Sequence, residues 1–238
     1  MVISLTNISA GYVEDIDTLK DVSLFAEEKK VTCIIGPNGS GKSTLLKVIC
    51  GFLKPRLGRV AYDGMDITGI NPEMLPKLGI SYIPQDRSIF PYLSVGQNLR
   101  LGFWIYRRNK EELERRLKEV LEDFPALKAR LQTNAGNLSG GQQRMLELAR
   151  SLLINPRVLV VDEPTVGLSP LIAKEFYQKL RTLKDRGVSI ILVDQNVRLA
   201  VEISDYIYVM DSGTISKHGS KNLLESQLRM LIESWLRY

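Results

Sequence analysis

The run Val31-Thr32-Cys33-Ile34-Ile35 passes directly into Gly36-Pro37-Asn38-Gly39-Ser40-Gly41-Lys42-Ser43-Thr44. No other stretch limits the fold as tightly. A short, largely apolar run suits a strand buried on both faces. The loop after it has the pattern G-x-x-x-x-G-K-[ST]. Its glycines let backbone N–H groups curl around phosphate oxygens, and the helix predicted over Lys42–Phe52 points its positive N-terminus at them. Lys42 can reach β- and γ-phosphates, and Ser43 can hold Mg²⁺. Residues Gly36, Pro37, Asn38, Gly39, Ser40, Gly41, Lys42, Ser43 and Thr44 are therefore candidates for holding a nucleotide.

A second chemical signal follows the strand Val158-Leu159-Val160-Val161, which ends in Asp162-Glu163-Pro164. Asp162 suits a metal-bound water beside a phosphate loop. Glu163, one residue further on, can orient or deprotonate an attacking water. Between the two signals lies Leu138-Ser139-Gly140-Gly141-Gln142. Ser139 offers a hydroxyl, Gly140 and Gly141 permit close backbone approach, and a helix begins there.

The rest of the chain alternates. Strands are predicted around Val2–Ile8, Val22–Phe25, Arg59–Tyr62, Ile80–Ile83, Val188–Val193 and Tyr206–Met210. Helices are predicted around 168–186 and 196–203, and Asn71-Pro72 reads as a further helix start. Strands alternating with helices imply a mostly parallel sheet covered on both faces. From about 86 to 156 the character is helical. Asn109 with Glu112 reads as a capping pair, and Leu113, Leu117, Val120, Leu121 and Phe124 form an apolar stripe. Glu111–Arg115, Glu112–Arg116 and Glu114–Lys118 stand at i,i+4 on the wet side. The expected organisation is one domain over 1–238, with a core of about 1–85 and 157–238 and a helical subdomain of about 86–156. Leu224, Leu228, Leu231 and Trp235 suggest a terminal amphipathic helix folded onto the body.

Composition narrows the function classes. Lys and Arg number 32 against 27 Asp and Glu, a surplus of five that is too small to argue for nucleic acid or anionic lipid. The two cysteines, Cys33 and Cys50, supply neither a disulfide framework nor zinc spacing. The N-terminus lacks the layout of a signal peptide. No apolar run is long enough to span a bilayer, so work at a membrane would need a partner.

Taken together, Gly36–Thr44, Gln85, Leu138–Gln142 and Val158–Glu163 resemble the nucleotide-binding subunit of an ABC transporter, over nearly the whole chain. The resemblance implies an α/β P-loop NTPase fold with a RecA-like core of ABC type, an antiparallel β edge and an inserted α-helical subdomain. It implies a Mg²⁺-dependent ATPase with ATP and Mg²⁺ as cofactors. In that family the signature loop of one subunit faces the γ-phosphate held by the other, so Ser139, Gly140, Gly141 and Gln142 would complete a partner's site in a head-to-tail dimer. Tyr12 matches the aromatic residue that stacks on adenine. Gln85 matches the glutamine that senses Mg²⁺ and the membrane partner. Ser43, Gln85 and Asp162 would serve the metal, and Glu163 and Gln195 the chemistry.

Two departures stand out. Most relatives carry a γ-phosphate-contacting histidine where this chain has Gln195, an amide that can donate a hydrogen bond but cannot shuttle a proton. Ser169 stands where relatives often have an aspartate that reaches the opposite phosphate loop. The chain's one histidine, His218, reads as a surface residue near a turn. Asp66–Gly69, Phe90-Pro91, Phe124-Pro125, Gly167–Pro170 and Val193–Asn196 resemble the ATPases of branched-chain amino acid importers, with urea and short-amide importers similar over the same stretches. That resemblance implies integral membrane permease subunits, a second copy or a paralogous ATPase in the dimer, an extracytoplasmic binding protein, no nucleic acid, and a cytoplasmic location at the inner face of the membrane. Ser88–Asn98 would help form a groove for a cytoplasmic helix of the permease. A soluble ABC-type ATPase and a poorly hydrolysing regulatory subunit are the alternatives.

Overall fold

The computed structural model describes residues 1–224. The chain opens with β1 (Ile3–Ala10) and β2 (Leu19–Ala26), then β3 (Val31–Ile35), α1 (Lys42–Ile49), β4 (Leu57–Tyr62), the short β5 (Met65–Asp66) and β6 (Ile80–Ile83). Helices α2 (Val95–Leu101), α3 (Lys110–Asp123), α4 (Pro125–Lys128) and α5 (Gly140–Ser151) follow in succession. Alternation resumes with β7 (Val158–Asp162), α6 (Pro170–Asp185), β8 (Ser189–Val193), α7 (Val197–Ile203), β9 (Tyr206–Asp211) and β10 (Thr214–Ser220).

The strands form two sheets. A six-stranded sheet runs β10-β9-β3-β8-β7-β6, parallel except for its β10 edge. A four-stranded antiparallel sheet runs β2-β1-β4-β5. The fold is thus the α/β arrangement expected, with its antiparallel edge and its run of helices between β6 and β7.

Strands β3, β7 and β8 are buried along their whole length because they serve two cores at once. Cys33, Leu159, Val161, Ile190 and Leu192 face a core shared with α3 to α6. Ile34, Val158, Val160, Ile191 and Val193 face the opposite way, toward α1 and the four-stranded sheet. Side chains alternate along a strand, so a sheet covered on both faces needs apolar residues at successive positions.

Several local expectations change. The segment opened by Asn71 is a 3-10 helix, Pro72–Leu78, with Pro76 inside it. A proline there removes an N–H and disfavours a regular α-helix. Helix α1 ends at Ile49 rather than Phe52, and Gly51 turns the chain at φ 72°. On α3, Asn109 does cap the helix, accepting from the Glu112 N–H at 3.1 Å. The expected i,i+4 pairs are replaced, however: Arg115 bonds Glu112 and Glu119, and Glu114 pairs with Arg100. Arg116 pairs with Glu119 and also turns inward, donating to the Leu152 and Leu153 carbonyls at the end of α5. His218 is exposed but lies within β10 rather than near a turn, stacked on Tyr206 and Tyr208. The predicted terminal helix lies outside the described residues, apart from Leu224, which is buried.

Candidate functional site

The carboxyl ends of β3, β7 and β8 lie side by side, with Asp162 in register with Val193. The phosphate loop, Asp162-Glu163 and Gln195 leave from these ends, where a parallel sheet places its ligand crevice. A cleft of about 310 Å³ opens there, lined by Thr18, Asn38, Gly39, Lys42, Ser43 and Thr44 together with Gln85, Glu163 and Gln195. Residues from five separate segments of the sequence therefore meet at one place.

The phosphate loop closes on itself. Gly41 takes φ 99° immediately before α1, a conformation that only glycine adopts without strain. Lys42 is buried, and its Nζ donates to the Gly36 and Pro37 carbonyls at 2.9 Å each. Burial pulls the Lys42 ammonium below its ordinary pKa, and the Glu163 and Asp162 carboxylates oppose that shift. The Ser40 hydroxyl is buried with no hydrogen-bond partner among the described residues. A buried, unpaired hydroxyl in a loop of this shape is a donor prepared for an anionic oxygen.

Asp162 and Glu163 behave differently despite being neighbours. Asp162 ends β7 and accepts from Ser43 Oγ at 3.1 Å and from the Tyr82 hydroxyl at 3.4 Å. Burial raises its pKa to about 6, with the Ser43 hydrogen bond pulling the other way and Glu163 adding to the rise. Glu163 adopts φ 42°, a left-handed conformation that is costly for a residue with a side chain. Its Oε2 accepts from Gln85 Nε2 at 2.8 Å and from Gln195 Nε2 at 2.6 Å. Two amides thus grip one carboxylate oxygen and leave Oε1 free of them.

Tyr12 projects from the loop after β1 and is 58% exposed, so it is not a core tyrosine. Its hydroxyl lies 3.5 Å from Thr44 Oγ1, and Lys47 sits 5.2 Å from the ring centroid. An exposed ring anchored beside the phosphate loop suits stacking on a flat heteroaromatic base.

The Leu138–Gln142 loop stands apart. None of its residues lines the cleft. Ser139 is exposed and caps α5, accepting from the Gln142 N–H at 3.3 Å, while Gln142 Oε1 accepts from the Ser139 N–H at 3.1 Å. Gln142 is therefore engaged as a helix cap. A side chain on Gly141 would come within 2.7 Å of Ile172 Cγ2, so glycine is what lets α5 lie against α6. Ser169 is likewise an exposed helix cap, at the start of α6.

Three contributors were not foreseen from the sequence. Tyr82 reaches Asp162 from inside β6, where it reads as an ordinary strand tyrosine. Asp194 is buried and accepts from Thr165 Oγ1 at 2.9 Å and from the Asn196 N–H at 2.8 Å, tying the loop after Glu163 to the loop that carries Gln195. Arg144 of α5 is buried against the backbone on either side of Glu163. Asp194 carried a faint signal, a charged residue ending an otherwise apolar strand.

Comparison with known proteins agrees with this geometry. The family model described as ABC transporter matches residues 19–166. A probable branched-chain amino acid transport ATP-binding protein LivF of Archaeoglobus fulgidus is 41% identical, over 92% of this chain and 93% of its own. A high-affinity branched-chain amino acid transport ATP-binding protein BraG of Pseudomonas aeruginosa is 35% identical, over 87% of this chain and 88% of its own. A solved structure described as the dimeric form of a bacterial ABC transporter cassette superposes with a TM-score of 0.81 at 27% identity, covering 92% of this chain and 98% of that one. Phosphate loop, acidic strand end and signature loop thus occur in a chain that matches such proteins nearly end to end, and it belongs to the ABC transporter family as an ATP-binding subunit.

Proposed function

We propose that this subunit hydrolyses ATP to drive import of branched-chain or other hydrophobic amino acids through membrane permease subunits. The observation that carries the ATPase part is the convergence of Lys42, Ser43, Gln85, Glu163 and Gln195 on one cleft. The cargo part is carried by the likeness to the two branched-chain transport proteins. Among the described residues no helix is long and apolar enough to cross a membrane, so the pathway for the cargo would belong to partner chains.

The site residues divide the work. Tyr12 would stack on adenine, and the loop Gly36–Thr44 would wrap the phosphates. Glu163 would take the proton of the attacking water through Oε1, while Gln85 and Gln195 hold Oε2. On cleavage of the β,γ bond, Lys42 and the loop amides would retain the diphosphate.

The Ser43 hydroxyl and the Asp162 carboxylate, 3.1 Å apart, form the sparse oxygen set that Mg²⁺ uses when phosphates supply further ligands. The Gln85 side-chain carbonyl is available to join them, because its amide nitrogen is committed to Glu163. Bound Mg²⁺ would neutralise charge developing on the β- and γ-phosphate oxygens.

Ser139 and its glycines do not line this cleft, so we assign them to the phosphates of a second subunit, either another copy or a paralogue. We further propose one domain over 1–238, with a core of about 1–85 and 157–238 and a helical subdomain of about 86–156. The exposed Phe90 and Tyr92 in the latter suit contact with a cytoplasmic helix of the permease, and the complex would lie on the cytoplasmic face of the membrane. Reconstitution with permease and binding-protein partners in vesicles tests this reading. ATP-driven uptake of labelled leucine, with ATPase activity stimulated by loaded binding protein, is expected. Leucine-insensitive ATPase activity without uptake would reject the cargo, and absence of Mg²⁺-dependent ATP hydrolysis would reject the function.

A further inference from the structure

Helix α5 carries a buried ion pair one turn after its cap. Arg144 Nη1 lies 2.7 Å from Glu147 Oε2, with side chains only 6% and 1% exposed. The guanidinium is also spread over three backbone carbonyls. Nε donates to Pro164 O at 2.9 Å, Nη1 to Pro84 O at 2.9 Å and Nη2 to Asp162 O at 3.2 Å. Pro84 immediately precedes Gln85, and Asp162 and Pro164 flank Glu163. Glu147 Oε1 in turn accepts from the Ser88 N–H and from Ser88 Oγ. Arg150, a further turn along, donates to the Ser88 carbonyl at 2.8 Å. One face of α5 therefore grips both the segment carrying Gln85 and the segment carrying Glu163.

We infer that the Arg144–Glu147 pair is a strut that transmits movement of the Ser139 cap to the Glu163 base of the same chain. The inference deepens the shared-site reading of the proposed function and rests on it. Ser139 caps the helix that bears Arg144, and at 1.5 Å per residue the Arg144 backbone sits roughly 8 Å along that rigid rod. A buried ion pair is a poor source of stability compared with apolar residues of similar size, so its placement calls for another role. The planar guanidinium can hold several carbonyls at fixed mutual angles, which an ammonium cannot do. It fixes the backbone on both sides of Glu163, whose φ of 42° needs such support. A nucleotide of the partner subunit that pulls on Ser139 thereby shifts the base and its Gln85 clamp together. Arg144 and Glu147 touch no reacting atom and act as positioning residues.

Two variants of the full-length subunit test the strut. Arg144→Lys retains the charge but loses the fork. The double variant Arg144→Met/Glu147→Leu fills the same space without charge, and such replacements commonly leave a fold intact. For each, thermal unfolding, ATP affinity under non-hydrolysing conditions, kcat and KM are measured beside wild type and Glu163→Gln. The strut predicts that both variants fold and bind ATP within about twofold of wild type, while kcat falls by at least about tenfold. A folded variant of either kind with wild-type kcat overturns it, as does a loss confined to KM. Failure of the underlying reading looks different, because wild type would then not turn over ATP, Glu163→Gln would match it, or Ser139→Arg would retain cooperative turnover.

Discussion

Gln195 Nε2 donates to Glu163 Oε2 at 2.6 Å, from the loop after β8 to the loop after β7. The same oxygen accepts from Gln85 at 2.8 Å. The carboxylate is thus oriented by two neutral amides, neither of which changes charge in the physiological pH range. An imidazole at position 195 would titrate there.

Gln195→His should therefore add a titration near the ordinary histidine value of about 6.5 to the pH–rate profile. The measurement is kcat against pH for wild type and variant. Identical profiles would remove Gln195 from the site. Gln195→Ala should lower kcat by about ten- to a hundredfold, because one of two positioning bonds is lost.

Asp162 supplies a separate pH dependence. Burial raises its pKa from 3.8 to about 6. As pH falls through about 6 the folded protein takes up a proton there, and the neutral acid is a poor metal ligand. So kcat/KM for Mg²⁺-ATP should fall below that pH, and that limb reports the free enzyme. Between the two pKa values the folded state holds the proton more tightly than the unfolded state. This group therefore favours the fold at acid pH, and its contribution fades as pH rises through about 6.

Tyr12→Ala should weaken ATP binding by about tenfold, the range expected for one aromatic stack, with kcat nearly unchanged at saturating ATP. Equilibrium binding of ATP beside GTP provides the check. Tyr12→Phe should bind normally, since the hydroxyl makes only a 3.5 Å contact to Thr44.

Ser139→Arg should abolish cooperative turnover while one subunit still binds ATP alone, because Ser139 is exposed and outside its own chain's cleft. Sedimentation and ATP titration together decide this. Loss of ATP affinity in the monomer would count against a shared site.

Much of this was legible in the sequence for a physical reason. The phosphate loop and the Asp162-Glu163 pair depend on residues adjacent in the chain, where backbone geometry dictates function locally. The two-sided burial of β3, β7 and β8 followed from their largely apolar runs. Arg144 and Glu147 were not legible. On a helix whose buried face extends most of the way round, a charged pair gives no sign that its partners are carbonyls about 20 and 60 positions away. Tyr82 was hidden likewise, since only the pairing of β6 with β7 brings it to Asp162. The ion pairs of α3 went astray because Arg116 pairs with Glu119 rather than Glu112 and reaches the carbonyls at the end of α5 as well, contacts set by how α3 packs on α5.

The proposed ATPase chemistry depends on Glu163, held by Gln85 and Gln195, acting as the base. Steady-state ATP hydrolysis by purified Glu163→Gln, with ATP binding measured on the same preparation, tests it most directly. Binding within about twofold of wild type is expected, with turnover reduced by at least about a hundredfold and ATP-bound dimer accumulating. Turnover near the wild-type rate in that folded, ATP-binding variant would contradict it.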